Sequence, residues 1–266
     1  MPKTKPMFSI ITAVYNDAAG LEKTKHSIVS QVFRDFEWIV VDGKSTDGTV
    51  AVMKDCDLGN MQWVSEIDHG IYDAMNRGVS RCTGDYVVFM NAGDTFHDVE
   101  TLGMVGKELS GGGRTADILF GGAMLYFPKS GKLVYRAPRV SEVSLWHGLP
   151  ANHQATYYRR SLLERTPYDL RYPLCGDYFL AASLMKAGAN ASYLNKPLAM
   201  FEVGGQSYKK LGQLFSEPYR IQRDLLGLPL HYRLASMAKR LVSTLGFIVL
   251  SQAVFKKKHN RCRVEN

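Results

Sequence analysis

The residues best equipped for chemistry stand in short polar clusters between apolar runs. Ser65 to Gly78, S-E-I-D-H-G-I-Y-D-A-M-N-R-G, packs three carboxylates, an amide and an arginine into fourteen residues. Tyr15-Asn16-Asp17 follows F-S-I-I-T-A-V, D-G-K-S-T-D-G begins at Asp42, and N-A-G-D begins at Asn91. Carboxylates and amides of this kind hydrogen-bond hydroxyls and base edges, and they hold hard divalent cations that bridge to phosphate oxygens. Read singly, each acid is an ordinary helix cap. Four clusters of the same character, one after each apolar run, point to a shared ligand.

The elements that must position these clusters are legible as alternating patterns. F-S-I-I-T-A-V and F-E-W-I-V-V read as strands, L-E-K-T-K-H-S-I-V-S-Q and the stretch near Thr49 to Asp55 as helices. M-Q-W-V-S-E is expected as a third strand, Ile71 to Ser80 as a short helix, and D-Y-V-V-F-M as a fourth strand buried on both faces. This alternation predicts βαβ units and a parallel sheet. Beyond Asp117, I-L-F-G-G-A-M-L-Y-F, a P-K-S-G turn and K-L-V-Y-R predict a hairpin, so the sheet is mixed. Helical patterns return at Asp177 to Ala187 and dominate from about Glu217. Ligands of open α/β sheets sit outside the carboxyl ends of the strands, where the four clusters fall. Neither G-x-G-x-x-G nor G-x-x-x-x-G-K-[ST] is present, and no Gly-rich basic loop of a nucleotidyltransferase follows the first strand.

A chain of 266 residues has room for one main core plus a tail. Cys56, Cys82, Cys175 and Cys262 form no C-x-x-C pair, which argues against zinc and disulfide frameworks and suggests a reducing, cytoplasmic setting. The apolar run Met7 to Val14 is short and holds Ser9 and Thr12, so it reads as a strand and not as a signal peptide. A net charge of +8 suits nucleic acid, anionic lipid or phosphorylated ligands. Its location favours lipid: basic residues recur from His231 to Arg240, then L-V-S-T-L-G-F-I-V-L-S-Q-A-V-F precedes K-K-K-H-N-R-C-R. Fifteen mostly apolar residues are too few to span a bilayer, which takes about 20. A helix lying in the interface fits, with packing on the core as the alternative. No aromatic, base-reading surface accompanies the charge, so a nucleic-acid partner ranks last.

F-S-I-I-T-A-V-Y-N, V-V-D-G-K-S-T-D-G-T and D-Y-V-V-F-M-N-A-G-D, in that order and spacing, resemble the nucleotide-binding half of GT-A fold, family 2 glycosyltransferases. S-E-I-D-H-G-I-Y-D-A-M-N-R-G, L-P-A-N-H-Q-A and M-F-E-V-G-G-Q-S more narrowly resemble the colanic-acid (WcaE) type of exopolysaccharide transferase, up to about residue 226. The resemblance implies an α/β, GT-A (Rossmann-like) domain over 1–226, with 1–116 as its nucleotide-sugar half and 117–226 as its acceptor half. Residues 227–266 then form a helical, basic, membrane-associating tail.

The implied reaction is inverting transfer of a sugar from a UDP- or GDP-sugar, GDP-fucose among the candidates, to a lipid-linked glycan acceptor on the inner face of the cytoplasmic membrane. Thr12, Tyr15, Asn16, Asp42, Asp68, Asp73, Asn76, Arg77 and Asn91 match donor-binding positions, and Asp94 matches the ligand of a Mg²⁺ or Mn²⁺ ion. Asp177 of C-G-D-Y-F-L matches the general base, although read alone it is a helix N-cap; His153 and Gln154 match the acceptor side. Asp73 and Arg77, spaced i, i+4, equally form a surface ion pair. Trp146 suits either a sugar ring or the core. Three departures from the family pattern stand out: Met75 where many members have arginine, Gly43 in place of a second acid after the second strand, and N-A-G-D for the common D-x-D-D. A non-catalytic sugar- or nucleotide-binding relative is the alternative function.

Overall fold

The computed structural model describes residues 5–111, 116–128, 130–139, 142–203 and 211–243. Strands β1 (Phe8–Val14), β2 (Phe36–Asp42), β3 (Met61–Ser65) and β4 (Tyr86–Phe89) alternate with helices α1 (Ala18–Val29), α2 (Thr49–Lys54) and α3 (Ile71–Val79). Every residue of β1, β2 and β4 is buried, as strands covered on both faces must be. Side chains alternate between two cores. Ile10, Trp38, Val40 and Val88 pack under α1, α2 and α4 (Thr101–Ser110). Ile11, Ile39, Val41 and Val87 pack under α3, α5 (Arg160–Arg165) and α6 (Gly176–Lys186). Helix α3 lies so close to β1 that a Cβ at Gly78 would stand 2.4 Å from Ile11 Cγ2.

The first four strands run parallel in the order β3-β2-β1-β4. Beyond β4 the sheet continues through antiparallel β8 (Thr156–Arg159) to β6 (Ile118–Phe127) and β9 (Ala191–Glu202), with short β5 (Thr95–Phe96) at the edge. The expected hairpin is formed by β6 and β7 (Lys132–Arg136). The sheet is mixed, with its parallel strands in the majority.

Helix α7 (Leu211–Arg220) begins before Glu217, where the sequence suggested a start. Pro218 explains the difference: proline favours the first helical turn, so Glu217-Pro218 reads as a beginning, yet the proline sits in the helix's second half. A π turn, Ile221–Leu225, follows, and then α8 over 230–243. Helix α8 packs partly on the body of the protein: Ser236 is buried and accepts a hydrogen bond from Gln222. Most of the apolar run after Arg240, and the final basic stretch, lie outside the described residues. Among the described residues no helix is long and apolar enough to cross a membrane.

Candidate active site

Because β3, β2, β1 and β4 are parallel neighbours, their carboxyl ends share one edge, and all four polar clusters meet there. The end of β1 and the loop after β2 are tied by side-chain-to-backbone bonds. Asn16, held at φ 48°, donates its amide to Ser45 Oγ at 2.7 Å and accepts from the Thr46 amide at 2.8 Å. Asp47 accepts from the Ala18 amide at 3.1 Å and from the Thr49 amide at 2.9 Å. Bonds from Thr49 hold the Asp47 carboxyl below the usual carboxylate range. Asp17 caps α1 through the Gly20 amide at 2.9 Å.

Several residues expected to touch ligand hydrogen-bond within the fold. Thr12 is fully buried; its hydroxyl donates to the Met90 carbonyl at 2.7 Å and accepts from Trp38 Nε1 at 2.9 Å. Asp42 is fully buried and accepts from the Ser45 amide, the Ser45 hydroxyl and the Ser65 hydroxyl. Asn76 pairs both ends of its amide with the backbone of Tyr168, at 2.9 and 2.8 Å. These three groups find protein partners within the fold, as buried hydrogen-bonding groups do. Asp73 and Arg77 form the ion pair that their spacing allowed, at 2.9 Å, with Glu66 3.3 Å from Arg77. Burial opposes ionisation of Asp73, but the His69 amide and Arg77 prevail and keep its carboxyl low.

Tyr15 and Asp68 do remain available. Tyr15 is 66% exposed, and Asp68 bonds only the Gly70 amide, at 2.9 Å. Gly70, at φ 113°, makes the left-handed entry into α3 that glycine permits. A Cβ at Gly43 would lie 2.6 Å from Asp68 Oδ2 and 3.2 Å from the Tyr15 ring, so a side chain there would displace the Asp68 carboxylate. That accounts for glycine in place of a second acid. Met75 is buried in the core under α3, so this position faces away from the rim.

The end of β4 makes the longest-range connection. Asn91 accepts from the Ala13 amide at 3.4 Å and directs its Nδ2 to His153 Nε2 at 3.1 Å. Donation from the amide makes His153 Nε2 the acceptor, which leaves the proton on Nδ1. Nδ1 stands 3.9 Å from Asp177 Oδ2. Asn91, His153 and Asp177 thus converge between the strand edge and the first turn of α6, the Asn91–His153 step a hydrogen bond and the His153–Asp177 step a longer approach. Beside it, Gln154, 1% exposed, donates Nε2 to Asp94 Oδ2 at 3.0 Å. Asn91, expected on the donor side, thus contacts His153, and Gln154, expected on the acceptor side, contacts Asp94.

Asp177 is the second residue of α6; the cap position belongs to Cys175, whose side chain makes no capping bond. The Leu174 and Cys175 amides are instead bound by Glu217 of α7, at 3.0 and 2.8 Å. Asp177 Oδ1 accepts from the Tyr178 amide at 2.7 Å and lies 3.5 Å from the Tyr72 hydroxyl. Burial, then the Asp177 carboxylate, push the Tyr72 phenol well above its ordinary value. Tyr72 and Glu217 were not singled out from sequence. Tyr72 shares the buried α3 face with Met75 and Val79, a detectable signal; Glu217 carried none. Trp146 packs edge-on to Tyr232 at 6.4 Å and lies under Lys239 at 5.5 Å, so it joins α8 to the body.

Among the described residues no three His, Cys, Asp or Glu side chains gather as a self-sufficient metal site. Asp94 fits a divalent cation that brings phosphate oxygens of its own, since such ions commonly use one or two protein carboxylates. Its half-buried carboxyl is pushed up to about 6 by burial, against the hydrogen bond from Gln154 and the charge of Lys23. The Gln154 carbonyl oxygen beside it is buried without a partner. A nearby cation would relieve both costs.

Known proteins share this fold and stretches of this sequence. The PGL/p-HBAD biosynthesis glycosyltransferase of Mycobacterium bovis (strain BCG / Pasteur 1173P2) is 35% identical over 178 residues, 65% of this chain and 67% of that protein. The structure of S. aureus TarS 1-349 superposes with a TM-score of 0.66 at 21% identity, over 89% of this chain and 72% of that one. The mannosyltransferase PcManGT from Pyrobaculum calidifontis, in complex with GDP-Man and Mn²⁺, superposes with a TM-score of 0.63 at 20% identity, over 95% and 81%. The family model for glycosyl transferase family 2 matches residues 9–166. The chain, with a GT-A fold, belongs to glycosyltransferase family 2.

Proposed function

We propose that this family 2 glycosyltransferase transfers a hexosyl or deoxyhexosyl group, with inversion, from a UDP- or GDP-sugar to a lipid-linked oligosaccharide in exopolysaccharide, capsule or O-antigen synthesis. The observation that carries the reading is the convergence of Asn91, His153 and Asp177, which brings a carboxylate free to take a proton to the strand edge. Tyr15 offers a ring face to the base and Asp68 a carboxylate to donor hydroxyls. Asp94, steadied by Gln154, would hold the Mg²⁺ or Mn²⁺ ion. That ion, when bound, supplies Lewis-acid neutralisation of the departing diphosphate. Asp177 Oδ2 accepts the proton of the acceptor hydroxyl as it attacks the anomeric carbon, while the Tyr178 amide holds the carboxylate in place through Oδ1.

Association with the inner membrane surface is part of the same reading. Leu230, Leu234, Leu241 and Val242 are all half-exposed or more, on the side of α8 opposite Ser236. Basic residues flank that face, as in helices that lie on anionic lipid.

A thermal-shift panel of UDP-, GDP- and dTDP-sugars with and without Mn²⁺ identifies the donor, since a ligand of the native state raises apparent stability. GDP-fucose, favoured by the colanic-acid resemblance, belongs in the first set. Initial rates of nucleoside diphosphate release with lipid-linked glycans then test transfer. A chain that binds a donor yet never releases its nucleoside diphosphate is a non-catalytic relative, and the proposal fails. Removing 244–266 keeps α8's contacts with the body and is expected to weaken flotation with anionic liposomes; equal flotation would refute the membrane role.

A further inference from the structure

Helix α8 brings Lys239 and Arg240 against the segment carrying Arg139 and His147. Arg240 Nη2 donates to the His147 carbonyl at 2.7 Å, and Lys239 Nζ stands 3.0 Å from His147 Nε2. Arg139 Nη1 lies 3.0 Å from His147 Nδ1, and its Nη2 donates to the Leu149 carbonyl. The two guanidinium tips converge over Gly148: a Cβ there would be 3.1 Å from Arg240 Nη2 and 3.8 Å from Arg139 Nη2. Among the described residues none of these three cations makes an ion pair with a carboxylate. The Nε atoms of Arg139 and Arg240 are buried without a hydrogen-bond partner among the described residues.

Like charges held together and half out of water repel one another, and a solvated face of lysines would not enclose its donors. Here the imidazole at the centre is kept neutral, its pKa driven down to about 4 by burial and by the cations Arg139, Lys239, Arg240 and Arg136. Burial and the neighbouring Arg136 and Arg240 push Arg139 down to about 10. Such a cluster is completed by an anion. Arginine forks match the paired oxygens of a phosphate, and a lysine adds a point charge. The segment carrying the cluster also reaches the helix of the proposed base, for the hydroxyl of Tyr178, next to Asp177, donates to the Leu145 carbonyl.

We infer that Arg139, Lys239 and Arg240 form a second anion site, separate from the donor rim, that binds the phosphate or diphosphate group of the acceptor. The anion site stands on its own geometry; its assignment to the acceptor rests on the proposed function. A phosphate held there sets the distance between the acceptor's anionic end and Asp177, and so selects which hydroxyl meets the base.

Titration calorimetry of inorganic pyrophosphate into the full chain tests the site, with and without the nucleoside diphosphate selected by the thermal-shift panel at saturation. Lys239→Gln, at an exposed position, and Arg240→Gln are each expected to weaken pyrophosphate binding about tenfold, as loss of a charge-assisted bond does. Lys107→Gln on α4 removes the same charge elsewhere and is expected to change nothing. Arg240→Lys, which keeps the charge, controls for loosening of the segment and should recover part of the affinity. Binding that persists beside saturating nucleoside diphosphate, and is displaced by a short-chain prenyl phosphate, supports the acceptor assignment. Variants that bind pyrophosphate like wild type overturn the site. Displacement by the nucleoside diphosphate overturns the assignment and returns the cluster to the donor. Wild-type-like pyrophosphate binding in an otherwise active enzyme sinks this inference alone; absent sugar transfer with variant-sensitive binding sinks the proposed function alone.

Discussion

Asp177→Asn separates chemistry from architecture. In the native chain Oδ1 takes the Tyr178 amide at 2.7 Å and Oδ2 faces His153 Nδ1 at 3.9 Å. Asparagine can keep the first contact through its carbonyl, but its NH₂ group then faces the Nδ1–H of His153, donor against donor. The structural loss is small: one negative charge in a helix's first turn, worth about 0.3–1 kcal/mol. Glu217 still binds the Leu174 and Cys175 amides just before helix α6. The melting temperature should therefore fall by only about 2–4 °C. The rate should fall far more, by about 10²- to 10⁴-fold, or about 3–5 kcal/mol in activation free energy, because a carboxamide cannot take the acceptor's proton. Donor affinity should stay near wild type, since the lost interaction serves the transition state. Initial rates of nucleoside diphosphate release at saturating donor, with melting curves on the same preparations, decide the matter. A rate within tenfold of wild type refutes the general-base role. A melting point lowered by more than about 10 °C, with donor binding lost, makes Asp177 a structural residue.

Other consequences are open to direct measurement. Asn76→Ala strands the Tyr168 amide and carbonyl, so urea unfolding should show a loss of about 1–3 kcal/mol with donor affinity unchanged; a selective loss of donor affinity would restore Asn76 to the ligand. Glu217→Ala leaves the Leu174 and Cys175 amides unpaired just before α6 and should cost a similar amount, accompanied by reduced kcat; full activity with unchanged stability would show that this contact is dispensable. Asp94 titrates near 6 in the folded chain against 3.8 when unfolded. Between those values the folded state holds the extra proton, so without metal its stability falls as pH rises through the window and levels off above it. The loss is about two units, at most about 3 kcal/mol. Metal-free Asp94→Asn should accordingly be more stable than wild type at pH 7.5 and converge with it below about pH 4, while losing Mn²⁺-dependent donor binding. A stability difference that ignores pH would contradict the burial of that carboxyl.

The strands and most helices were legible in the sequence because they depend on local periodicity. Runs such as F-S-I-I-T-A-V and F-E-W-I-V-V can be covered on both faces only in a parallel sheet. Parallel neighbours must then bring Asn16, Asp42, Asp68 and Asp94 to one edge. Which of those polar groups stay free was not a local property. Asp42 and Asp68 are the same residue type at neighbouring strand ends, yet one is enclosed by Ser45 and Ser65 and the other is left facing the rim. Asn76 looked like a ligand contact until Tyr168, far along the chain, was found to satisfy both ends of its amide. Asp177, a helix cap when read alone, lies one residue inside α6, and a histidine on a third segment comes between it and Asn91. Hydrophobic pattern and backbone period belong to neighbours in sequence, so the sequence by itself determined the layers and the edge. A hydrogen-bonding group is satisfied by whatever partner the folded chain brings within about 3 Å, so only the tertiary structure decided which polar residues remain for the substrate.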